Sequence, residues 1–197
     1  MVDIMKKKII LSVCAAVAMA FSLPSQAQRL IPKQKGIEIV GSVPLIKGEK
    51  LLAKDNFGVG VSLTCYLKRE NYSFVGVEYE QQNMPYRDYG VKLKDALLHL
   101  GYMHPILSDN GKNVLLYAGI SALGGYEELN EDKKLLPDGA TLLDRSRFVY
   151  GGAVHGSLEV FLTDRILFLV KAQGRLLFGS DVHRFRPALS AGLRFNI

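Results

Sequence analysis

The sequence predicts an all-β protein: a single antiparallel outer-membrane β-barrel of eight strands, following a cleaved signal peptide. Three observations predict it. At the C-terminal end, Leu189, Ala191, Leu193, Phe195 and Ile197 fall on one face of an alternating segment, with Arg194 and Asn196 on the other. A period of 2 marks a strand with one apolar and one polar side, and an aromatic close to the C-terminus suits a barrel-closing strand. At the N-terminal end, Met5-Lys6-Lys7-Lys8 leads into an apolar run from Ile9 to Leu23 and then Pro24-Ser25-Gln26-Ala27. That is the layout of a secretory signal peptide. Between the two ends, alternating segments are separated by turn-forming residues.

The apolar run near the N-terminus is shorter than the ~20 residues a membrane helix needs, so cleavage before Gln28 is expected. This divides the chain into a signal peptide, residues 1–27, and a barrel domain, residues 28–197. Met1-Val2-Asp3-Ile4 places an acid ahead of the basic region, which favours translation from Met5. Cys14 sits inside the apolar run, so lipidation is not expected.

The chain carries a formal net charge of +6 and no run of like charge beyond the signal; direct nucleic-acid binding is not expected. Cys65 is the cysteine left after cleavage, which rules out an intrachain disulfide. No second apolar stretch approaches a membrane helix. A helical inner-membrane protein is thereby excluded.

Strands are expected over residues 36–44, 57–69, 72–83, 92–106, 114–126, 148–162, 166–178 and 184–197. In the second, Val59, Val61, Leu63, Cys65 and Leu67 oppose Gly58, Gly60, Ser62, Thr64 and Lys68. In the third, Val75, Val77 and Tyr79 oppose Gly76, Glu78 and Glu80. In the sixth, Tyr150, Val154, Leu158, Val160 and Leu162 oppose His155, Ser157 and Glu159; in the seventh, Phe168, Val170, Ala172 and Leu176 oppose Lys171, Gln173 and Arg175. The fourth and fifth are apolar on both faces. Pro44, Pro85, Pro105 and Pro187 fall at strand ends and Pro137 in a loop, where a missing N–H breaks no ladder. Connections at 70–71, 108–113 and 163–165 are tight, while those at 45–56, 84–91, 127–147 and 179–183 are mostly longer. Short periplasmic turns and longer outer loops are the expected asymmetry of a bacterial barrel. Glycines inside strands, among them Gly58, Gly76, Gly119, Gly151 and Gly192, leave room in a narrow lumen for larger polar side chains. A soluble barrel would carry its apolar faces inward. Here the polar faces mix charge with glycine and serine while the opposite faces are almost free of charge, which favours the inside-out arrangement.

On the polar faces Glu38, Glu78, Glu80 and Glu159 accompany Lys171, Arg175, Arg186 and Arg194. Buried charges must pair, and an eight-stranded barrel has only enough interior for its own side chains, so a filled lumen is expected rather than a pore. His155, Ser157 and Glu159 share one face of one strand and resemble the His-x-Ser pair with nearby Glu of outer-membrane lipid A deacylases. Parity places them in the lumen, away from any acyl chain. His99, His104 and His183 have no metal-site spacing, and Cys65 reads as a lipid-facing hydrophobe. No catalytic, cofactor-binding or metal-binding residue is assigned. The long 127–147 connection holds Asn130, Glu131, Asp132, Lys133 and Lys134, then Leu135 and Leu136, the turn signal Pro137-Asp138-Gly139, and Leu142 and Leu143. It is the expected interaction surface.

Over nearly the whole mature chain the sequence resembles the conjugal transfer protein TraO family of Bacteroides-type conjugative transposons. The likeness is densest in Gly124-Gly125-Tyr126-Glu127, Leu135-Leu136-Pro137-Asp138-Gly139-Ala140-Thr141-Leu142, Tyr150-Gly151-Gly152-Ala153-Val154, Leu162-Thr163-Asp164-Arg165 and Phe178-Gly179-Ser180. The resemblance implies a structural or docking component of a conjugative, type IV secretion-like transfer apparatus, with no catalytic residue or cofactor to carry over. The expected partners are outer-membrane lipid and other transfer proteins. The competing expectations are a lipid A-modifying hydrolase using His155, Ser157 and Glu159, and a stand-alone surface adhesin.

Overall fold

The computed structural model describes residues 30–45, 56–86, 89–129, 146–180 and 183–197. Eight strands run in order: β1 Lys35–Pro44, β2 Phe57–Tyr66, β3 Tyr72–Tyr86, β4 Tyr89–Ser108, β5 Val114–Leu129, β6 Ser146–Phe161, β7 Ile166–Phe178 and β8 Phe185–Asn196. Each pairs with the next, and β8 returns antiparallel to β1 from Gly36↔Asn196 to Pro44↔Ala188, closing the barrel. The start of β1, the end of β8 and the three tight turns lie at one end, called the floor. The other end is the rim.

The alternation in the sequence becomes an inside-out wall. Val61, Val77, Leu100, Ile120, Val154, Leu158, Val170 and Leu189 all face outward and are exposed, Val77 by 60% and Ile120 by 65%. Inward positions on the same strands carry Glu38, Glu78, His155, Glu159, Arg175 and Arg194, all buried. In water such a wall would forfeit the hydrophobic stabilisation of every exposed residue; in hydrocarbon it loses nothing. Because the barrel is closed, no strand edge is left without hydrogen-bond partners in the wall, as a lipid environment requires. Toward the rim the outer face turns aromatic. Phe57, Tyr79, Tyr126, Phe148, Tyr150, Phe178 and Phe185 are exposed there, with ring centroids 6.4 Å apart for Phe57–Tyr79 and 6.0 Å for Tyr150–Phe178. Above them the outer face becomes polar, and Lys94 pairs with Glu128 across β4 and β5 at 3.8 Å. An aromatic band between apolar and polar zones is the girdle of a membrane barrel.

Strand lengths are uneven. β1 and β2 have 10 residues each, close to the ~9–11 that cross a bilayer. β4 has 20, and β5 and β6 have 16 each, so β3 to β6 rise past the girdle as a palisade. At 84–86 and 89–91 the expected loop is therefore strand: β3 and β4 pair up to Tyr86↔Tyr89. The strand part of the 127–147 connection also pairs, through Glu127↔Arg147 and Glu128↔Ser146. Both were missed because strand above the membrane presents polar residues outward, which reads as loop. The free edge of the palisade on β3 is blunted. The Asn83 N–H donates to Asn56 Oδ1 at 2.6 Å, and Pro85, two residues on along the same edge, has no N–H to offer.

Three further expectations need adjusting. Lys68 lies not on the inner face of β2 but in an exposed 3-10 turn, Lys68–Glu70. Pro105 sits within β4 at a register shift between Pro105 and Leu107, where a bulge accommodates its missing donor. Pro187 is inside β8, opposite Gly174. Gly151 and Gly192 explain themselves by close approach: a Cβ would collide with Leu176 O at Gly151 and with Ile39 O at Gly192. At Gly192 the contact is across the closing β1–β8 seam. The predicted signal peptide, the loop segment 130–145 and Pro137 lie outside the described residues.

Candidate functional site

The chemistry-bearing side chains converge in the lumen, and they are stacked in layers. Nearest the floor is an aromatic and aliphatic layer of Tyr66, Tyr72, Tyr117, Leu115, Met103, Phe161, Leu167 and Leu169. Tyr72 packs edge-on against Tyr66 and Tyr117 at 5.6 and 5.0 Å between centroids. Over Tyr72, at 4.2 Å from its ring centroid, lies the guanidinium of Arg194.

Arg194 is wholly buried and organises the lower lumen. Its Nη1 donates to Glu159 Oε2 at 2.7 Å and to Tyr66 OH at 2.8 Å; its Nη2 donates to Glu38 Oε2 at 2.7 Å and Glu159 Oε1 at 3.0 Å. Glu159 also accepts from Tyr72 OH at 2.6 Å, and Glu38 is paired with Lys171. Two carboxylates, one guanidinium and one ammonium from β1, β6, β7 and β8 thereby neutralise one another. Such a cluster in a low-dielectric site is stable only when every member is paired.

The middle layer is built around Glu78. It accepts from Gln173 Nε2 at 3.0 and 3.2 Å and from Ser42 Oγ at 3.2 Å, and lies 3.0 Å from His99 Nε2. His155 stacks edge-on against Phe74 and shares a 2.8 Å hydrogen bond with Ser121 Oγ. Here a cavity of about 40 Å³ remains, lined in part by Glu38, Glu78, His99, His155 and Lys171. That is room for on the order of three water molecules.

Closest to the rim, Arg175 Nη2 contacts both oxygens of Glu80 at 2.6 and 2.5 Å. Arg186 ties together three strands and a connection: Nη1 donates to Asp95 at 2.6 Å, Nη2 to Glu127 at 2.5 Å and to Ser180 Oγ at 2.7 Å, and Nε to the His183 carbonyl at 3.1 Å. A second apolar cluster, Leu97, Leu123, Val149, Ala153 and Leu177, fills the space beside them.

The eight charged residues expected to face the lumen do so, and they pair across the barrel. Asp95 and Glu127, the two carboxylates that hold Arg186, were not expected. Asp95 lies in a strand whose two faces both looked apolar, and Glu127 lies just beyond the point where alternation was read to end. The filled lumen is not made of ion pairs alone: apolar and tyrosine side chains form two of its layers. His155, Ser157 and Glu159 share the lumen face as expected, yet they do not connect as base, nucleophile and acid. His155 bonds to Ser121, while Ser157 donates to Glu159 at 3.3 Å. A serine activated for attack needs the imidazole as its proton acceptor, and Ser157 is fully buried. Among the described residues no group of three or more His, Cys, Asp or Glu side chains could hold a metal ion. Cys65 is a free thiol on the outer face of β2.

The sequence over residues 31–197 matches the family model for the conjugative transposon protein TraO. The chain belongs to this family. No curated protein matches the TraO-family chain. Three solved structures of similar fold match at low sequence identity. Neisserial surface protein A superposes with a TM-score of 0.54 at 13% identity, over 83% of this chain and 96% of that one. Ail, the attachment invasion locus protein of Yersinia pestis, gives 0.50 at 13%, over 83% and 97%. The N-terminal β-barrel domain of Pseudomonas aeruginosa OprF gives 0.50 at 11%, over 84% and 98%. These likenesses concern the fold alone: an eight-stranded outer-membrane type of barrel.

Proposed function

We propose that this TraO-family protein is a non-catalytic outer-membrane component of a conjugative DNA-transfer apparatus, acting as a structural or docking element. Membership of the family supports the system. The exposed apolar wall with its aromatic girdle supports the compartment.

The observation that carries the mechanism is the sealed lumen. Among the described residues, paired charges and two apolar layers fill it, and the cavity beside Glu78 measures about 40 Å³. Neither a DNA strand nor a protein substrate passes through such a space, and no acyl chain reaches Ser157. A barrel closed in this way contributes through its surfaces, by anchoring and positioning other components at the membrane. Deleting the gene from the transposon and measuring transfer in a mating assay tests this, with the protein tracked by sucrose-gradient fractionation. Transfer should fall and be restored by the gene in trans, and the protein should sediment with outer membrane. Recovery as a soluble periplasmic protein, or undiminished transfer on deletion, would refute the proposal.

A further inference from the structure

All the non-glycine residues with left-handed backbone among the described residues lie at the floor: Lys33 (φ 72°), Arg69 (φ 59°), Glu70 (φ 64°) and Lys112 (φ 53°). Backbone of this kind is strained for a residue with a Cβ and persists only where surrounding contacts hold it. They do hold it here. Lys33 N donates to Tyr66 O at 2.8 Å and Leu67 N to Asn71 O at 2.7 Å. Asn71 Nδ2 donates to Lys68 O at 2.7 Å, Asn71 Oδ1 meets His104 Nδ1 at 2.7 Å, and Tyr117 OH donates to Glu70 O at 3.0 Å. The β2–β3 turn is fixed in place by side chains from one turn, Asn71, and two strands, His104 and Tyr117.

What this end of the barrel displays is positive charge, from its turns and from Lys35 at the start of β1. Lys33, Lys35, Lys68, Arg69 and Arg165 are exposed, and none has an ion-pair partner among the described residues. The acids of the same end are occupied: Glu70 by Lys112, Asp109 by the N–H groups of its own turn, and Asp164 by a contact of its own. At the rim, Lys94 and Arg186 are neutralised by carboxylates, and Arg184 is exposed.

We propose that the floor is a preorganised docking surface for an acidic segment of a periplasmic protein. The inference rests on the proposed outer-membrane placement, with the short-turn floor set toward the periplasm by the loop asymmetry of bacterial barrels. Charge complementarity names the chemistry of the partner, and the fixed turns favour a protein over lipid. Anionic headgroups are mobile and need only nearby charge, whereas a fixed array lowers the ordering cost of binding one defined partner.

The test uses the full chain with Lys33→Gln, Lys35→Gln, Lys68→Gln and Arg69→Asn, asparagine being tolerant of left-handed backbone. In a strain where gene deletion abolishes transfer, the variant should reach the outer membrane at wild-type level and transfer at least about tenfold less often. Wild-type transfer by the inserted variant would overturn the inference and leave the proposed function standing. If the fourfold variant fails to insert, the turn pair Lys68→Gln with Arg69→Asn serves instead, judged the same way. A second arm needs no transfer apparatus. Purified wild-type protein in neutral detergent should bind a fluorescent oligoglutamate peptide at about 50 mM salt, and weaken markedly at about 300 mM. The variant should bind at least about tenfold less. Equal binding by both proteins would overturn the inference. So would a phenotype confined to lipid, in which the variant binds the peptide normally but loses affinity for phosphatidylglycerol vesicles over phosphatidylcholine ones.

Discussion

Replacing Arg194 by methionine removes the centre of the lower lumen and is the most informative single change. The side chain is wholly buried, bridges Glu38 and Glu159 at 2.7 Å each, and covers the Tyr72 ring at 4.2 Å. Removing one partner of a buried pair costs about 3–5 kcal/mol, because it leaves an uncompensated charge. Here the loss falls near the lower end of that range. Glu38 keeps Lys171, and Glu159 keeps its hydrogen bonds from Tyr72 at 2.6 Å and Ser157 at 3.3 Å. With a urea dependence of about 1–3 kcal/mol per molar, the unfolding midpoint should drop by roughly 1–3 M. The chain has no tryptophan, so the transition is followed by circular dichroism and by the mobility of the unboiled barrel on a gel. Adding Glu159→Gln to Arg194→Met should restore about 1 kcal/mol or more, since the stranded carboxylate is then neutral. A midpoint for Arg194→Met unchanged from wild type, or a double variant weaker than the sum of its parts, would refute the pairing on which the sealed lumen depends.

Other perturbations follow from the same geometry. Val77→Lys puts a charge on the exposed outer wall midway between floor and girdle and should destabilise by about 2–4 kcal/mol in lipid, whereas Phe195→Asp, close to the floor, should cost about 0–1 kcal/mol by energy alone yet deplete the protein from outer membrane if the last strand carries the insertion signal; normal assembly of Phe195→Asp would count against that role for β8. Gly192→Ala forces a Cβ against Ile39 O at the closing seam, and the loss of about 1–3 kcal/mol expected for such overpacking should appear as slower barrel closure on unboiled gels. Ser157→Ala and His155→Ala should leave the lipid A profile unchanged by mass spectrometry, and a species that vanishes with Ser157→Ala would revive the hydrolase. At the β4–β5 turn, burial disfavours the Asp109 carboxylate, but together the hydrogen bonds from the N–H groups of Val114, at 2.8 Å, and Gly111, at 3.2 Å, and from Asn113 outweigh it and hold its pKa below the ordinary value. A depressed carboxylate stabilises the turn above its unfolded pKa and loses that effect as pH falls through the folded one. The protection factor of the Val114 amide, its exchange rate relative to an unstructured peptide at the same pH, should therefore fall on acidification below about pH 4, and Asp109→Asn should remove that dependence.

Much of the barrel was legible because lipid outside and charge inside force strict alternation. Val59 to Leu67 and Val75 to Tyr79 declared their faces, and parity alone placed Arg194, Glu38 and Glu159 in the lumen. Legibility failed where the environment changes along a strand. Above the girdle Lys92 and Lys94 face water while Leu93 faces inward, so the pattern of β4 inverts and Asp95 is hidden among leucines. At the floor, Leu115, Leu167 and Leu169 point into the lumen, and nothing in a single strand distinguishes them from leucines that face lipid. Which acid holds which base is also set by barrel register, so Arg186 between Asp95 and Glu127 needed three strands that lie far apart in sequence. The left-handed turns at Arg69 and Lys112 carry no glycine or asparagine at those positions to signal them.

The most direct measurement is the conductance of the purified full-length protein in a planar lipid bilayer. A lumen closed by the Arg194, Glu78 and Arg186 clusters should give no discrete steps above the bare membrane, before or after Glu159→Gln. Stable, reproducible single-channel steps from the wild-type protein would show an open path through the barrel and contradict the view that it serves the transfer apparatus from its surfaces.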